Sequence, residues 1–285
     1  MRPIEALSLG WRTELIFHRF DGEVAPRADH LLIRTPRNPT YYWGNFLLFD
    51  RAPREGDAAR WLALFDDEVA RPQPESRHLA FGIDGAPPVS LPADFAAVGA
   101  KLFTSSVLTM RREQLRAPRR RLPASLATRP LRLPDEAAAA ADHQVGGDAG
   151  GYEPVGYRVF RERRMAGYGR MAQAGLGDWF GVFAATPQGE ALVADCGLFR
   201  DGFGPRALGR FQSVATHPAW RRQGLCTALM HAVCTHGFDT LGLESLVILA
   251  DPTDVAVGLY ESVGFVRDHV LGYIERRPPG DGQAG

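Results

Sequence analysis

Apolar positions recur at two different spacings along this chain, and the spacing changes where the predicted elements change. From Leu225 onward the apolar set is Leu225, Ala228, Leu229, Ala232 and Val233, with His236 closing the row. These fall at i, i+3, i+4, i+7, i+8 and i+11, one face of a helix, and predict a helix over 224–236. Just upstream, Arg210-Phe211-Gln212-Ser213-Val214-Ala215-Thr216 is dense in β-formers and ends at the turn signal His217-Pro218, which predicts a strand over 210–216. Downstream the pattern predicts a strand over 244–250, a helix over 254–262 and a strand over 265–275. Upstream it predicts an alanine-rich helix after Asp135, a flexible loop over Gly146–Gly151, an amphipathic helix over Tyr157–Met171, and paired strands over 179–185 and 191–199. Arg200 to Gly204 turns into the strand at 210.

The N-terminal half has its own series. Strands are predicted over 13–20 and 30–34, with a break at Thr35-Pro36-Arg37-Asn38-Pro39. A strand over 45–49 is followed by the loop Ala52–Gly56. A helix over 57–70 follows, capped by Asp57, with Trp61, Leu62, Phe65 and Val69 on its apolar face. A strand over 77–83, a short helix over Pro92–Val98 and a strand over 101–110 complete the series. Its element order matches that of the C-terminal half from 210 onward. Val98-Gly99 lines up with Val263-Gly264, and the same offset puts Phe95 where Tyr260 stands. A repeated supersecondary order points to duplication, with an unrelated α+β domain at 1–120 as the alternative. The expected division is 1–120 and 121–285.

Composition narrows the class. At 285 residues the chain is long enough for one large or two ordinary domains. It is 45% hydrophobic and 23% charged with a formal net charge of +0, so its global charge gives no pull toward nucleic acid or anionic membrane. No apolar run reaches membrane-spanning length, and Met1–Leu15 has no signal-peptide core. Cys196, Cys226 and Cys234 show no metal or redox spacing and read as small buried side chains in a cytoplasmic protein. Lys101 is the one lysine among 33 basic residues. The segment Arg111–Pro134 carries eight arginines and four prolines. It reads as a solvated linker leading into the first strand of the second domain. RNA or DNA phosphates are the sharper alternative, but no aromatic residue interleaves the run to stack on bases.

Candidate chemistry concentrates after His217-Pro218-Ala219-Trp220. Strand, short glycine-containing loop and helix start leave several backbone N–H groups without an intrahelical partner, at the positive end of the macrodipole. Such a place binds phosphate. Gly224 admits close approach of an anion, and Arg221 and Arg222 add charge. The ordinary alternative is a plain helix start.

Three segments in order carry a family resemblance. Arg221-x-x-Gly224-x-Cys226 resembles the acyl-CoA diphosphate loop of the GNAT acetyltransferases, with Cys226 where Gly or Ala is usual. Val214-Ala215-Thr216-His217-Pro218 resembles the family's fourth strand and its exit. Leu259-Tyr260-Glu261-Ser262-Val263-Gly264-Phe265 resembles its late Tyr-x-x-x-Gly-Phe segment. The resemblance covers about 129–277. It implies an α+β fold, a GNAT-like mixed β-sheet flanked by helices, in two tandem copies if the N-terminal half is a degenerate copy without catalysis. That half's loop, Ala52–Gly56, lacks the Arg-x-x-Gly-x-small pattern.

The resemblance also implies acetyl transfer from acetyl-CoA to an amine, a small molecule or a peptide, by direct transfer in a ternary complex. Cofactor-binding candidates are Val214, Ala215 and Thr216 along the strand and Arg221, Arg222, Gln223, Gly224, Leu225, Cys226 and Thr227 in the loop. Backbone amides of Val214 and Thr216 are candidates to polarise the thioester. Tyr260 is the candidate acid: a phenol of pKa about 10 stays protonated near neutrality and would protonate a leaving thiolate, whose thiol has a pKa near ~8.5. Its bland alternative is a tyrosine packed on Phe265. The base stays open among Asp195, Glu244, Asp251, His217 and a water chain. Tyr152–Met171 is expected to shape acceptor specificity. A non-catalytic acyl-CoA sensor or scaffold is the alternative function.

Overall fold

A computed structural model describes residues 3–147, 152–187, 189–202 and 207–278. Parts of the loop at 146–151, the turn at 200–204 and the tail at 278–285 lie outside them. The described residues fall into two compact units. One holds residues up to 107 with 152–153 and 269–278; the other holds 108–147 and 154–268. Residues 108–120 therefore pack with the second unit, and the last strand residues pack with the first. No described helix is long and apolar enough to cross a membrane.

In the first unit, strands β1 (Glu23–Pro26), β2 (His30–Arg34), β3 (Phe46–Phe49) and β4 (Leu79–Ile83) lie in that order. β1–β2 and β2–β3 are antiparallel, and β3–β4 is parallel. The next strand is the end of the chain: Gly272–Arg276 pairs antiparallel with Leu79–Ile83. Helices α2 (Ala58–Phe65) and α3 (Ala93–Ala97) carry Trp61, Phe65 and Phe95 into a core with Phe49, Phe81 and Ile274. Trp61 stacks on Phe49 at 3.6 Å between ring centroids.

Two expectations for this half need correction. The strand expected over 13–20 is the middle of helix α1 (Leu9–Asp21). Trp11, Thr13, Glu14, Leu15, Ile16, Phe17 and His18 are all buried, so the helix lacks the polar face that would betray its period. Tertiary bonds fix it: Trp11 Nε1 donates to the Ile83 carbonyl at 2.9 Å, and the Ser8 amide donates to Asp84 at 2.9 Å. Asp57 precedes α2 but does not cap it; its carboxylate takes Arg51 and the Arg54 amide. The amides of Gly56 and Ala58 donate instead to Asp94, at 3.0 and 2.9 Å.

After strand β5 (Lys101–Met110), the second unit is built on β6 (Leu126–Pro130), β7 (Gly177–Thr186), β8 (Gly189–Arg200), β9 (Leu208–Thr216) and β10 (Ser245–Ala250). Their spatial order is β10-β9-β8-β7-β6, antiparallel except for parallel β9–β10. Helices α4 (Ala137–Gly146), α5 (Pro154–Gln173), α6 (Leu225–Asp239) and α7 (Val255–Val263) accompany it. The expected face of α6 is buried at Leu225, Ala228, Leu229 and Val233, in one core with Phe211, Leu246, Ile248 and Val257. The mixed α+β architecture, with a mixed sheet and helices, is the fold class expected. β3–α2–β4–α3 in one unit repeats the order β9–α6–β10–α7 in the other, each with a parallel strand pair.

Candidate active site

β9 and β10 pair only at their beginnings, Leu208–Arg210 against Ser245–Val247. Beyond Arg210, β9 keeps β8 as its register partner, and a bulge falls between Asp195 and Gly197 on β8. Residues 213 and 214 sit opposite that break, and Ser213 takes φ 45, a left-handed conformation unusual for a side-chain-bearing residue. The edge of 211–216 turned away from β8 thus has no matching length of β10. Val214, Ala215 and Thr216 lie on it, half-buried.

His217 ends the strand and accepts the Ala219 amide on Nδ1 at 3.3 Å, capping a short turn over Pro218–Trp220. Three candidate side chains then fold onto the loop's own carbonyls. Arg221 Nε donates to the Thr216 carbonyl at 3.2 Å, Gln223 Nε2 to Ala219 at 3.3 Å, and Thr227 Oγ1 to Gly224 at 3.0 Å. α6 begins without a side-chain cap, its N-cap Gly224 at φ 85. Among the described residues, the amides of 222–227 have no acceptor; the first helical bond is Ala228 N–H to the Gly224 carbonyl, 3.1 Å. Cys226 is half-buried and packs against the core, and burial pushes its thiol up to about 11. Burial also raises Cys196 and Cys234 far above the ordinary thiol range, so all three are protonated and unsuited to nucleophilic work. Arg120, from the basic run, passes close to Gly224: a Cβ built there would stand 3.6 Å from the Cβ of Arg120.

Tyr260 is 6% exposed, with Phe265 edge-on at 6.2 Å. Burial, then the Cys226, Cys196 and Asp254 groups, raises its phenol well above the usual range. Among the described residues the hydroxyl has no hydrogen-bond partner. Full proton transfer from a phenol near 10 to a thiolate near ~8.5 is already uphill by about 2 kcal/mol, and burial makes it more so. A phenol held this high can offer a neighbouring sulfur a hydrogen bond more readily than its proton. Gly264 has its own reason: a Cβ there would lie 2.0 Å from the Gln114 carbonyl, because residues 114–116 dock on the end of α7, Arg116 N–H donating to the Val263 carbonyl at 2.8 Å.

The base candidates separate. Asp195 is fully buried and accepts from His143 Nδ1 at 3.0 Å, Gln144 Nε2 at 2.5 Å and Trp179 Nε1 at 2.9 Å, which leaves it a structural hub. Asp251 is an exposed turn residue; accepting from the Thr253 hydroxyl and amide holds its carboxyl below the usual range. Glu244 is exposed. His143, in the alanine-rich helix α4, carries no local sequence signal. Burial opposes its charged form, but the Asp195 carboxylate more than offsets that, so its pKa is raised. Its Nε2 is buried without a hydrogen bond. Asp195 inside the apolar run Val193-Ala194-Asp195-Cys196 was the one sequence signal that something must meet it.

α5 lies on the bulge. Tyr157, Arg161, Arg164 and Tyr168 share one helical face. Arg161 Nη1 donates to the Ser213 hydroxyl at 3.2 Å, and Tyr168 donates to Gln212 Oε1 at 3.0 Å. Gln144 Nε2 donates to the Ser213 carbonyl at 3.0 Å.

Comparison with known proteins agrees with this geometry. Residues 178–267 match the family model described as an acetyltransferase (GNAT) domain. No curated protein matches the chain by sequence. Among solved structures, a functionally unknown conserved protein from Staphylococcus epidermidis is similar at 12% identity and TM-score 0.67, covering 90% of this chain and 94% of its own. A GCN5-related N-acetyltransferase from Kribbella flavida is similar at 14% identity and TM-score 0.61, covering 93% of each chain. A tandem GNAT protein from the clavulanic acid biosynthesis pathway is similar at 12% identity and TM-score 0.53, covering 81% of this chain and 74% of its own. At such identities the structures speak for the fold; the family match speaks for the second unit. In its C-terminal half, this chain carries a GNAT acetyltransferase domain.

Proposed function

We propose that the chain is an acetyl-CoA-dependent N-acetyltransferase whose C-terminal domain carries the site, beside a degenerate N-terminal copy without catalysis. The amides of 222–227, unpaired at the start of α6, are the observation that carries this reading. They would take the CoA diphosphate, with Arg221, Arg222 and Arg120 adding positive charge. The open edge at Val214, Ala215 and Thr216 would hold the pantetheine arm and direct an amide at the thioester carbonyl. In the reaction the amine nitrogen attacks that carbonyl carbon, the C–S bond breaks, the nitrogen gives up a proton, and the sulfur gains one. Tyr260 would donate its hydrogen bond to the departing sulfur.

Calorimetry on the full chain with CoA and with acetyl-CoA is the test. Saturable binding of one equivalent is expected; no binding of either rejects the reading. An acyl-CoA sensor or scaffold remains the second reading, favoured by the engagement of Asp195 with three donors. Release of free thiol from acetyl-CoA across a panel of amines separates the two.

A further inference from the structure

The Arg161 guanidinium has an unusual set of partners. Nε and Nη2 both donate to the Tyr157 hydroxyl, at 2.9 and 2.5 Å, and Nη1 donates to the Ser213 hydroxyl at 3.2 Å. Among the described residues no carboxylate meets it. One turn earlier Arg158 is paired with Asp142 and Glu162. Arg161 also lies over the rings of Tyr157, at 4.9 Å, and Phe160, at 5.3 Å. A half-buried cation held by neutral hydroxyls and ring faces is fixed in place but not neutralised. Such a charge is stabilised by an anion supplied from elsewhere.

Its position says which anion. Ser213 is the strained residue at the β9 bulge, held by Gln144 through its carbonyl and by Arg161 through its hydroxyl. Three strand residues at ~3.3 Å each put it about 10 Å before the end of β9 at Thr216, and the unpaired loop amides come after that. The diphosphate and the reacting end of CoA are separated by a pantetheine arm along this strand. Arg161 thus belongs to the thioester end.

We propose that Arg161 binds an oxyanion on the acceptor, so that the acetylated amine carries a carboxylate or a phosphate ester near its nitrogen. The inference rests on the acetyltransferase reading above. Two N–H groups of the guanidinium fork remain for a planar carboxylate.

The test measures thiol release from acetyl-CoA by the full chain. Acceptors are α-amino acids, their decarboxylated amines, and O-phosphorylated amino alcohols with their dephosphorylated counterparts. Acceptors with the anion are expected to exceed their neutral counterparts by about 10- to 100-fold in kcat/KM, the worth of a charge-assisted hydrogen bond; which anion leads identifies the class. Arg161→Gln should raise KM for the anionic acceptor by a similar factor, and by more than it changes KM for neutral amines or for acetyl-CoA. Arg161→Lys, which keeps the charge, should fall between. Equal use of anionic and neutral amines overturns the inference, as does an equal effect of Arg161→Gln on both. Weaker acetyl-CoA binding in Arg161→Gln would assign the guanidinium to the cofactor instead. Acetyl-CoA bound but consumed with no acceptor overturns the inference and leaves the CoA seat standing; no acetyl-CoA binding overturns both.

Discussion

Replacing Tyr260 by Phe removes one oxygen and should move stability and turnover independently. The hydroxyl sits on a side chain only 6% exposed and has no partner among the described residues. The oxygen itself keeps contact with solvent, so removing it should leave stability within about 1 kcal/mol of the parent. Turnover should respond differently. A hydrogen bond to a sulfur gaining negative charge is worth about 1.5–3 kcal/mol, or about 10- to 150-fold in kcat. The ground-state thioester sulfur is a weak acceptor, so KM for acetyl-CoA should hardly move. Thiol release gives both kinetic constants, and urea unfolding followed by fluorescence gives the stability. A kcat within about twofold of the parent would remove Tyr260 from the chemistry. A loss of more than about 1.5 kcal/mol in stability would mean the hydroxyl was holding the fold, against the reasoning from its missing partner.

Three further outcomes follow from the packing. A chain cut after residue 120 loses Gly272–Arg276, which pairs with β4, and Ile274, fully buried in the first core; it should be insoluble or expanded by light scattering and circular dichroism, and a cooperative, monomeric fold would refute that. His143 has a raised pKa through Asp195, so its charged form stabilises the fold below about pH 6.5 and that increment is lost as pH rises through the raised value; the stability gap between parent and His143→Gln should shrink as pH rises above about 6.5 in urea titrations, and a constant gap would sink the assignment. Asp94→Ala strips the acceptor from Gly56 and Ala58 and should cost about 1–2 kcal/mol. Added sulfate should recover more Tm in the variant than in the parent, while equal recovery would mean the freed amides take no anion.

How much of this was visible in the residues depended on the range of the interaction that decides each feature. β9, the glycine-containing loop and α6 were legible because their signals are local: β-formers up to Thr216, a turn at His217-Pro218, then apolar residues at helical spacing. α1 was not, because a helix enclosed on all sides displays no period, and its Thr13 hydroxyl is absorbed by the Leu9 carbonyl within the helix. The base stayed open for a different reason. Asp195 is defined by His143, Gln144 and Trp179, which come from α4 and β7, and no local pattern links them. Arg161 was half visible: Tyr157, Arg161, Arg164 and Tyr168 mark a polar helical face, but only the fold shows that face meeting Ser213. The cap at Asp57 was misassigned because a suitable residue at the right position lost its role to one 37 positions later, Asp94.

That last substitution bears on what the two halves do. Both units place a helix start after one strand of a parallel pair, and both leave backbone amides at the positive end of a dipole. In the first unit the chain closes the position with its own anion: one Asp94 oxygen takes the amides of Gly56 and Ala58, while Glu55 takes the amide of Ala93 in return. A tethered carboxylate is at hand without the entropy of bringing in a free ligand, so a diphosphate would have to displace it before binding. In the second unit the corresponding amides, 222–227, meet no acceptor among the described residues, and a side chain that passes close to Gly224 is a cation, Arg120. At the candidate acid position the same asymmetry holds, with Phe95 fully buried where Tyr260 keeps an unpaired hydroxyl. Electrostatics at two helix starts, rather than any difference in element order, is what assigns the proposed chemistry to the C-terminal half.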